Sequence, residues 1–148
     1  MVKNLLVNDF GFNLNKKLVH SFTNKVRKFL ELNFESLTIN FITSDQILEI
    51  NKKYLNHNYY TDIITFNYSG NHKLIDGEIF ISFETAIQNA KKYKVDIMKE
   101  IGRLIIHGIL HLIGMDDKKK HEKIIMKKKE NELLKMYNFI LLQQNEIQ

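Results

Sequence analysis

Two histidines four residues apart, His107 and His111, lie inside the segment Ile101 to Asp117, IGRLIIHGILHLIGMDD. On an α-helix that spacing puts both rings on one face, one above the other. Two imidazoles reach a single metal ion from one helix in this way. The residues around them, Ile101, Leu104, Ile105, Ile106, Ile109, Leu110, Leu112 and Ile113, are apolar nearly all round, so the helix should be buried. A buried imidazole without partners costs free energy. A ligand pair and a pair of satisfied core histidines both answer that cost, and the spacing alone does not choose between them.

Gly114 follows three residues after His111. Glycine is the usual residue where a helix ends in the left-handed conformation. It would turn the chain sharply, so that Asp117 folds back as a third ligand. The pattern H-x-x-x-H-x-x-G-x-x-D has the ligand spacing of the metzincin proteases, with Asp at the third position. Asp116 and His121 are rivals for that position, and either aspartate could instead cap the next helix. Spacing favours Asp117. The chain has no cysteine, so thiolate sites and disulfides are excluded and any metal must sit on His, Asp or Glu. Zinc accepts imidazole nitrogen together with carboxylate oxygen, and a catalytic site leaves one position to water.

The elements that must hold this site can be read from periodicity and caps. A strand is expected at Lys3 to Asn8. A helix capped by Asn13 or Asn15 should run to about Leu32, and a strand should span Leu37 to Ile42. A capped helix starting at Ser44 should run to about Tyr54. Asp62 to Tyr68 and Leu74 to Ser82 read as strands joined by the loop Ser69 to Lys73, which suits a hairpin. Helices follow from Ser82 or Phe83 to Tyr93, from an Asp96 cap to Ile113, and from about Lys118 to Tyr137. The expected fold is α+β, a small mixed sheet of about four strands covered by about five helices, one of them a zincin-like metal helix. The 148 residues fit one domain spanning 1–148. Neither a signal peptide nor a membrane span is visible, so a cytoplasmic protein is expected. The net charge of +5 is a mild bias toward polyanions, and an AT-rich genome would produce the same drift.

The segment HGILHLIGMDD resembles the signature of the YbeY family, bacterial metal-dependent endoribonucleases of ribosomal RNA maturation. INKKYLNHNYYTDIITFNY (Ile50 to Tyr68) and DGEIFIS (Asp76 to Ser82) match the family's preceding blocks in order and spacing. The likeness runs from about Ser36 to Lys118. It implies a single-strand-specific endoribonuclease acting on ribosomal RNA precursors, notably at the 3′ end of small-subunit RNA. It further implies ribosome quality control, contact with the small ribosomal subunit, and one ion per chain, zinc or another divalent metal. Two positions depart from the family. Its third ligand is usually His where this chain has Asp117. Its Arg after the Tyr of the upstream block is replaced here by Leu55. Arg103, one turn before His107 on the same helical face, is a candidate substitute that could clamp a phosphate. Its other reading is an ion pair with a buried carboxylate, Glu100 or Asp62.

Proteases with this ligand spacing carry a general-base Glu directly after the first His. Here that residue is Gly108, which disfavours a metallopeptidase. A non-catalytic ribosome-associated factor with a structural metal stays open, distinguished by four protein ligands rather than three. Lys118, Lys119, Lys120, Lys123, Lys127, Lys128 and Lys129 start beside the third ligand. They could hold an RNA backbone or form a solvated helix face partly paired by Glu122 and Glu130. The aromatics Tyr59, Tyr60, Phe66 and Tyr68 could stack bases, but at strand spacing they read as core. Thr61 and Asp62 are expected to brace the loop before the strand.

Overall fold

The computed structural model describes residues 4–147. Four strands, β1 (Leu5–Asn8), β2 (Asn33–Ile42), β3 (Ile63–Asn67) and β4 (Leu74–Ser82), form one mixed sheet in the order β1-β2-β4-β3. β1 and β4 both run parallel to β2, while β3 pairs antiparallel to β4. Five helices complete the fold: α1 (Lys16–Phe29), α2 (Ser44–Leu55), α3 (Phe83–Tyr93), α4 (Ile97–Leu112) and α5 (Lys120–Ile147). The molecule is therefore α+β, as the element pattern implies. Lys3, expected to open the first strand, lies outside the described residues. No described helix is long and apolar enough to cross a membrane.

Local chemistry sets the boundaries. Asn15 caps α1 by accepting the Leu18 N–H, Ser82 caps α3, and Asp96 caps α4. α2 starts at Ser44, as expected, and Thr43 caps it in a reciprocal capping box with Gln46. Ser44 is left free to bond Ser82 and Glu84. β2 begins four residues earlier than alternation predicts because a register irregularity between Phe34 and Ser36 breaks the period-two pattern. In the β3–β4 hairpin the Asn67 side chain accepts the N–H groups of Ser69 and Gly70.

The main core lies between one face of the sheet and α1 and α4, flanked by α3 and α5. α4 is its axis: Ile101, Leu104, Ile105, Ile106, Ile109, Leu110 and Leu112 are all fully buried. Each such side chain contributes roughly 1.5–3 kcal/mol of transfer free energy, so α4 is among the most firmly seated elements. On the other face a smaller cluster, Ile42, Ile47 and Ile64, lies under α2.

Candidate metal centre

The last two turns of α4 carry the two histidines, and Gly114 turns the chain back toward them. Gly114 has φ +97°, its N–H donates to His111 O at 3.0 Å, and Met115 N–H returns to Leu110 O at 3.0 Å. This reversal delivers Asp117. His107 Nε2 lies 3.1 Å from His111 Nε2 and 3.3 Å from Asp117 Oδ2, and His111 Nε2 lies 3.6 Å from Asp117 Oδ1. Ligands arranged tetrahedrally at about 2.0–2.2 Å from a zinc ion stand about 3.3–3.6 Å apart. Two ring nitrogens and a carboxylate, one oxygen of which approaches each ring, suit a divalent ion in both spacing and donor type. The three residues form a potential metal-holding group among the described residues, and three protein ligands is the number that catalytic rather than structural sites use. The rivals stand apart from it: Asp116 is exposed and accepts the Asp117 N–H at 2.8 Å, and His121 is exposed in the first turn of α5.

Behind His107, His111 and Asp117 lies a polar network of which the sequence pointed only to the pairing of Arg103 with Glu100 or Asp62. His107 Nδ1–H donates to Glu130 Oε2 at 2.6 Å. Glu130, only 6% exposed, belongs to α5. The bond leaves the Nε2 lone pair turned to the shared centre, the arrangement by which a carboxylate orients a metal-binding imidazole. Arg103 donates through Nε and Nη2 to both oxygens of Glu100, at 2.8 and 2.7 Å, and stands 3.6 Å from Glu130 and 3.8 Å from Asp62. Asn89 on α3 donates to Glu100 at 3.1 Å and to Asp62 at 3.4 Å. The ion pairing of Arg103 with Glu100 is thus present, and its fork is occupied by carboxylates. Asp62 braces its loop, accepting through its carbonyl from Ser82 at 2.9 Å.

Burial of His107 opposes its protonation. The hydrogen bond His107 donates to Glu130 and the charges of Glu130 and Asp117 outweigh that, against Arg103, and hold its pKa above the ordinary histidine value. The Glu100 hydrogen bond, working against burial, likewise raises the Arg103 pKa.

Glu130 was expected to help neutralise the lysine face; it points inward instead. The signal was there in principle, since Met126, Glu130, Leu133 and Tyr137 recur at helical spacing and all are buried. Glu100 sits the same way beside Ile101 and Leu104.

Two clefts meet at the centre. The first, about 440 Å³, runs between α4 and α5 and is lined by Lys99, Arg103, Lys123 and Lys127 together with Tyr93, Met126 and the centre itself. The second, about 390 Å³, is bounded by β3 and the loop after α2. His107 and Asp117 line both. Lys127, whose neighbours Lys128 and Lys129 remain outside, therefore faces a cleft rather than only open solvent. The aromatics read as core are mostly not: Tyr59, Tyr60 and Tyr68 are more than half exposed, because β3 is an edge strand and its flanks are loops. Gly108 packs against the sheet, where an added Cβ would stand 2.9 Å from Ile79 Cδ1 and 3.2 Å from Ile63 Cδ1. A general-base glutamate at that position has no room.

A family model described as Endoribonuclease YbeY matches residues 8–138. An Endoribonuclease YbeY of Parabacteroides distasonis is 49% identical over 94 residues, 64% of this chain and 66% of that one. Its counterpart in Karelsulcia muelleri is 46% identical over 127 residues, 85% of this chain and 84% of the relative. A Thermotoga maritima protein of known solution structure is similar with a TM-score of 0.60 at 25% identity, covering 87% of this chain and 89% of that one.

Proposed function

Because this chain belongs to the endoribonuclease YbeY family, we propose that it is a metal-dependent endoribonuclease whose ion is held by His107, His111 and Asp117. One observation carries the reading: two imidazoles and a carboxylate whose ligand atoms all lie within 4.8 Å of one another, where a lysine-lined cleft meets a second cleft. Zinc, one per chain, is the ion this donor set favours. The substrate is single-stranded RNA, notably small-subunit ribosomal RNA precursor near its 3′ end. The setting is the cytoplasm and the small ribosomal subunit, with a role in ribosome quality control. The whole chain, 1–148, acts as one domain.

When bound, a divalent ion supplies Lewis acidity toward a phosphate oxygen and lowers the pKa of water beside it. The chain's own residues do the rest. Glu130 holds the Nδ1 proton of His107 and so keeps Nε2 aimed at the centre. Arg103 holds Glu100 and stands beside Glu130. It contributes positive charge to the cleft wall, and a phosphate would have to share its guanidinium with those carboxylates. Lys99, Lys123 and Lys127 attract the RNA backbone along the first cleft. The carboxylate of Asp117 adds negative charge that tempers the ion's Lewis acidity relative to a third histidine.

The test is cleavage of single-stranded RNA and of 3′-extended small-subunit RNA by pure protein, with casein as control substrate. Cleavage of RNA alone is expected. It should stop on chelation, return on adding zinc, and be absent in His111→Ala. Undiminished RNA cleavage by His111→Ala overturns the reading.

A further inference from the structure

The second cleft sets His107, His111 and Asp117 opposite the loop that follows α2. No lysine or arginine lines it, and Leu55 on its wall offers no donor. A phosphodiester beside the centre needs hydrogen-bond donors on the side away from the ion. Apart from the two ligand histidines, the side chain in this lining that can carry positive charge is His57.

His57 is held in place. α2 ends at Asn56 in the left-handed conformation, φ 54°, and His57 N–H returns to Asn51 O at 3.0 Å. Asn51, 2% exposed, also donates its side-chain N–H to Tyr59 O at 2.9 Å. One buried residue therefore ties down both His57 and Tyr59. The His57 ring stacks on Tyr59 with centroids 5.0 Å apart, and the Tyr59 hydroxyl stands 2.9 Å from Nδ1. Phosphate oxygens only accept hydrogen bonds. In the tautomer that suits them, Tyr59 O–H would donate to Nδ1 and the ring proton would sit on Nε2, the nitrogen left to a ligand.

We propose that His57 is a catalytic residue whose Nε2–H donates to a non-bridging oxygen of the phosphate being cut, with Tyr59 positioning the ring. The proposal rests on the ribonuclease reading. No bond forms to His57, and its proton is shared, not transferred.

Metal-loaded His57→Ala, His57→Gln and Tyr59→Phe are compared with the unaltered protein on single-stranded RNA. Loss of one such donor should lower kcat/KM about a hundredfold in His57→Ala. His57→Gln keeps an N–H donor and should lose roughly tenfold. Tyr59→Phe should fall between His57→Gln and the unaltered protein and shift the His57 ring ¹⁵N resonances, a signature that a merely structural tyrosine would not move. Metal affinity, measured by chelator competition, should be the same in all four. His57→Ala activity within threefold of the unaltered protein overturns the proposal. If the unaltered protein cuts no RNA, the ribonuclease reading fails on its own account. Titration of a single-stranded 2′-deoxy oligonucleotide then decides separately: His57 Nε2 should shift, and no shift, whether or not the oligonucleotide binds, overturns the contact.

Discussion

The bond from His107 Nδ1–H to Glu130 decides how the centre works, because it selects the tautomer. An imidazole that donates from Nδ1 keeps its lone pair on Nε2, and Nε2 is the atom that stands 3.1 Å from His111 Nε2 and 3.3 Å from Asp117 Oδ2. Glu130→Gln keeps an acceptor oxygen but removes the charge. Loss of such an outer partner typically weakens metal binding about 10–100-fold. That drop is expected by chelator competition in protein that stays folded; unchanged affinity would show that Glu130 only fills space. The same bond turns Glu130 inward from an otherwise polar stretch of α5. In the run KKKENE its neighbours are exposed or half-exposed, and only the apolar residues four before and three and seven after mark it as inward-facing.

Two junctions between elements hold the centre's geometry. At one, α4 ends against the β3–β4 hairpin: Asn67 Nδ2 donates to Leu112 O at 3.2 Å, and an added Cβ on Gly114 would stand 2.5 Å from His72 Cε1. Gly114→Ala meets both a left-handed φ of +97° and that ring. It should destabilise the fold by about 1–3 kcal/mol and weaken metal binding, since Asp117 is placed by the same turn. A melting temperature unchanged from the parent protein would contradict this. At the other junction the Tyr137 hydroxyl on α5 donates to Asp96, the cap of α4, at 3.2 Å. Burial, then the charge and hydrogen bond of Asp96, raise the Tyr137 pKa from 10.0 to about 12. The folded state therefore keeps this proton more tightly than the unfolded state. The resulting stability is complete below the unfolded value near pH 10 and is lost as pH rises toward about 12. Tyr137→Phe should cost about 1 kcal/mol at neutral pH and flatten the fall in stability over that alkaline window. Parallel denaturation profiles for the two proteins would refute it.

Across the whole molecule, charge is divided between the two clefts. Lysines line the first, while the second has histidines, Tyr59, Thr61 and Asp62. An RNA strand passing the centre would be attracted along one cleft and oriented in the other. The net charge of +5 is modest, so its placement matters more than its size. Each phosphate contact on a single strand contributes about 0.7 to the slope of log affinity against log salt concentration. Lys99→Gln combined with Lys123→Gln should therefore reduce the slope by about 1.4, measured by fluorescence anisotropy in the presence of chelator. An unchanged slope would remove both lysines from the RNA path.

Sequence alone determined the parts that depend on short-range periodicity. Spacings of four, three and three residues set the two histidines, the turning glycine and Asp117 along one helix end, and local caps set where α1, α3 and α4 begin. The apolar surroundings of His107 and His111 likewise announced a buried helix. Tertiary structure decided what those residues meet. Glu130 comes from 23 residues beyond His107, Asp62 and Asn89 reach the network from a loop and from α3, and the α2 loop brings His57 to the facing wall. Such encounters follow from which helix packs on which face of the sheet. Packing brings together residues with no periodic relation along the chain, so the sequence can mark Glu130 as inward-facing but not show that it meets His107.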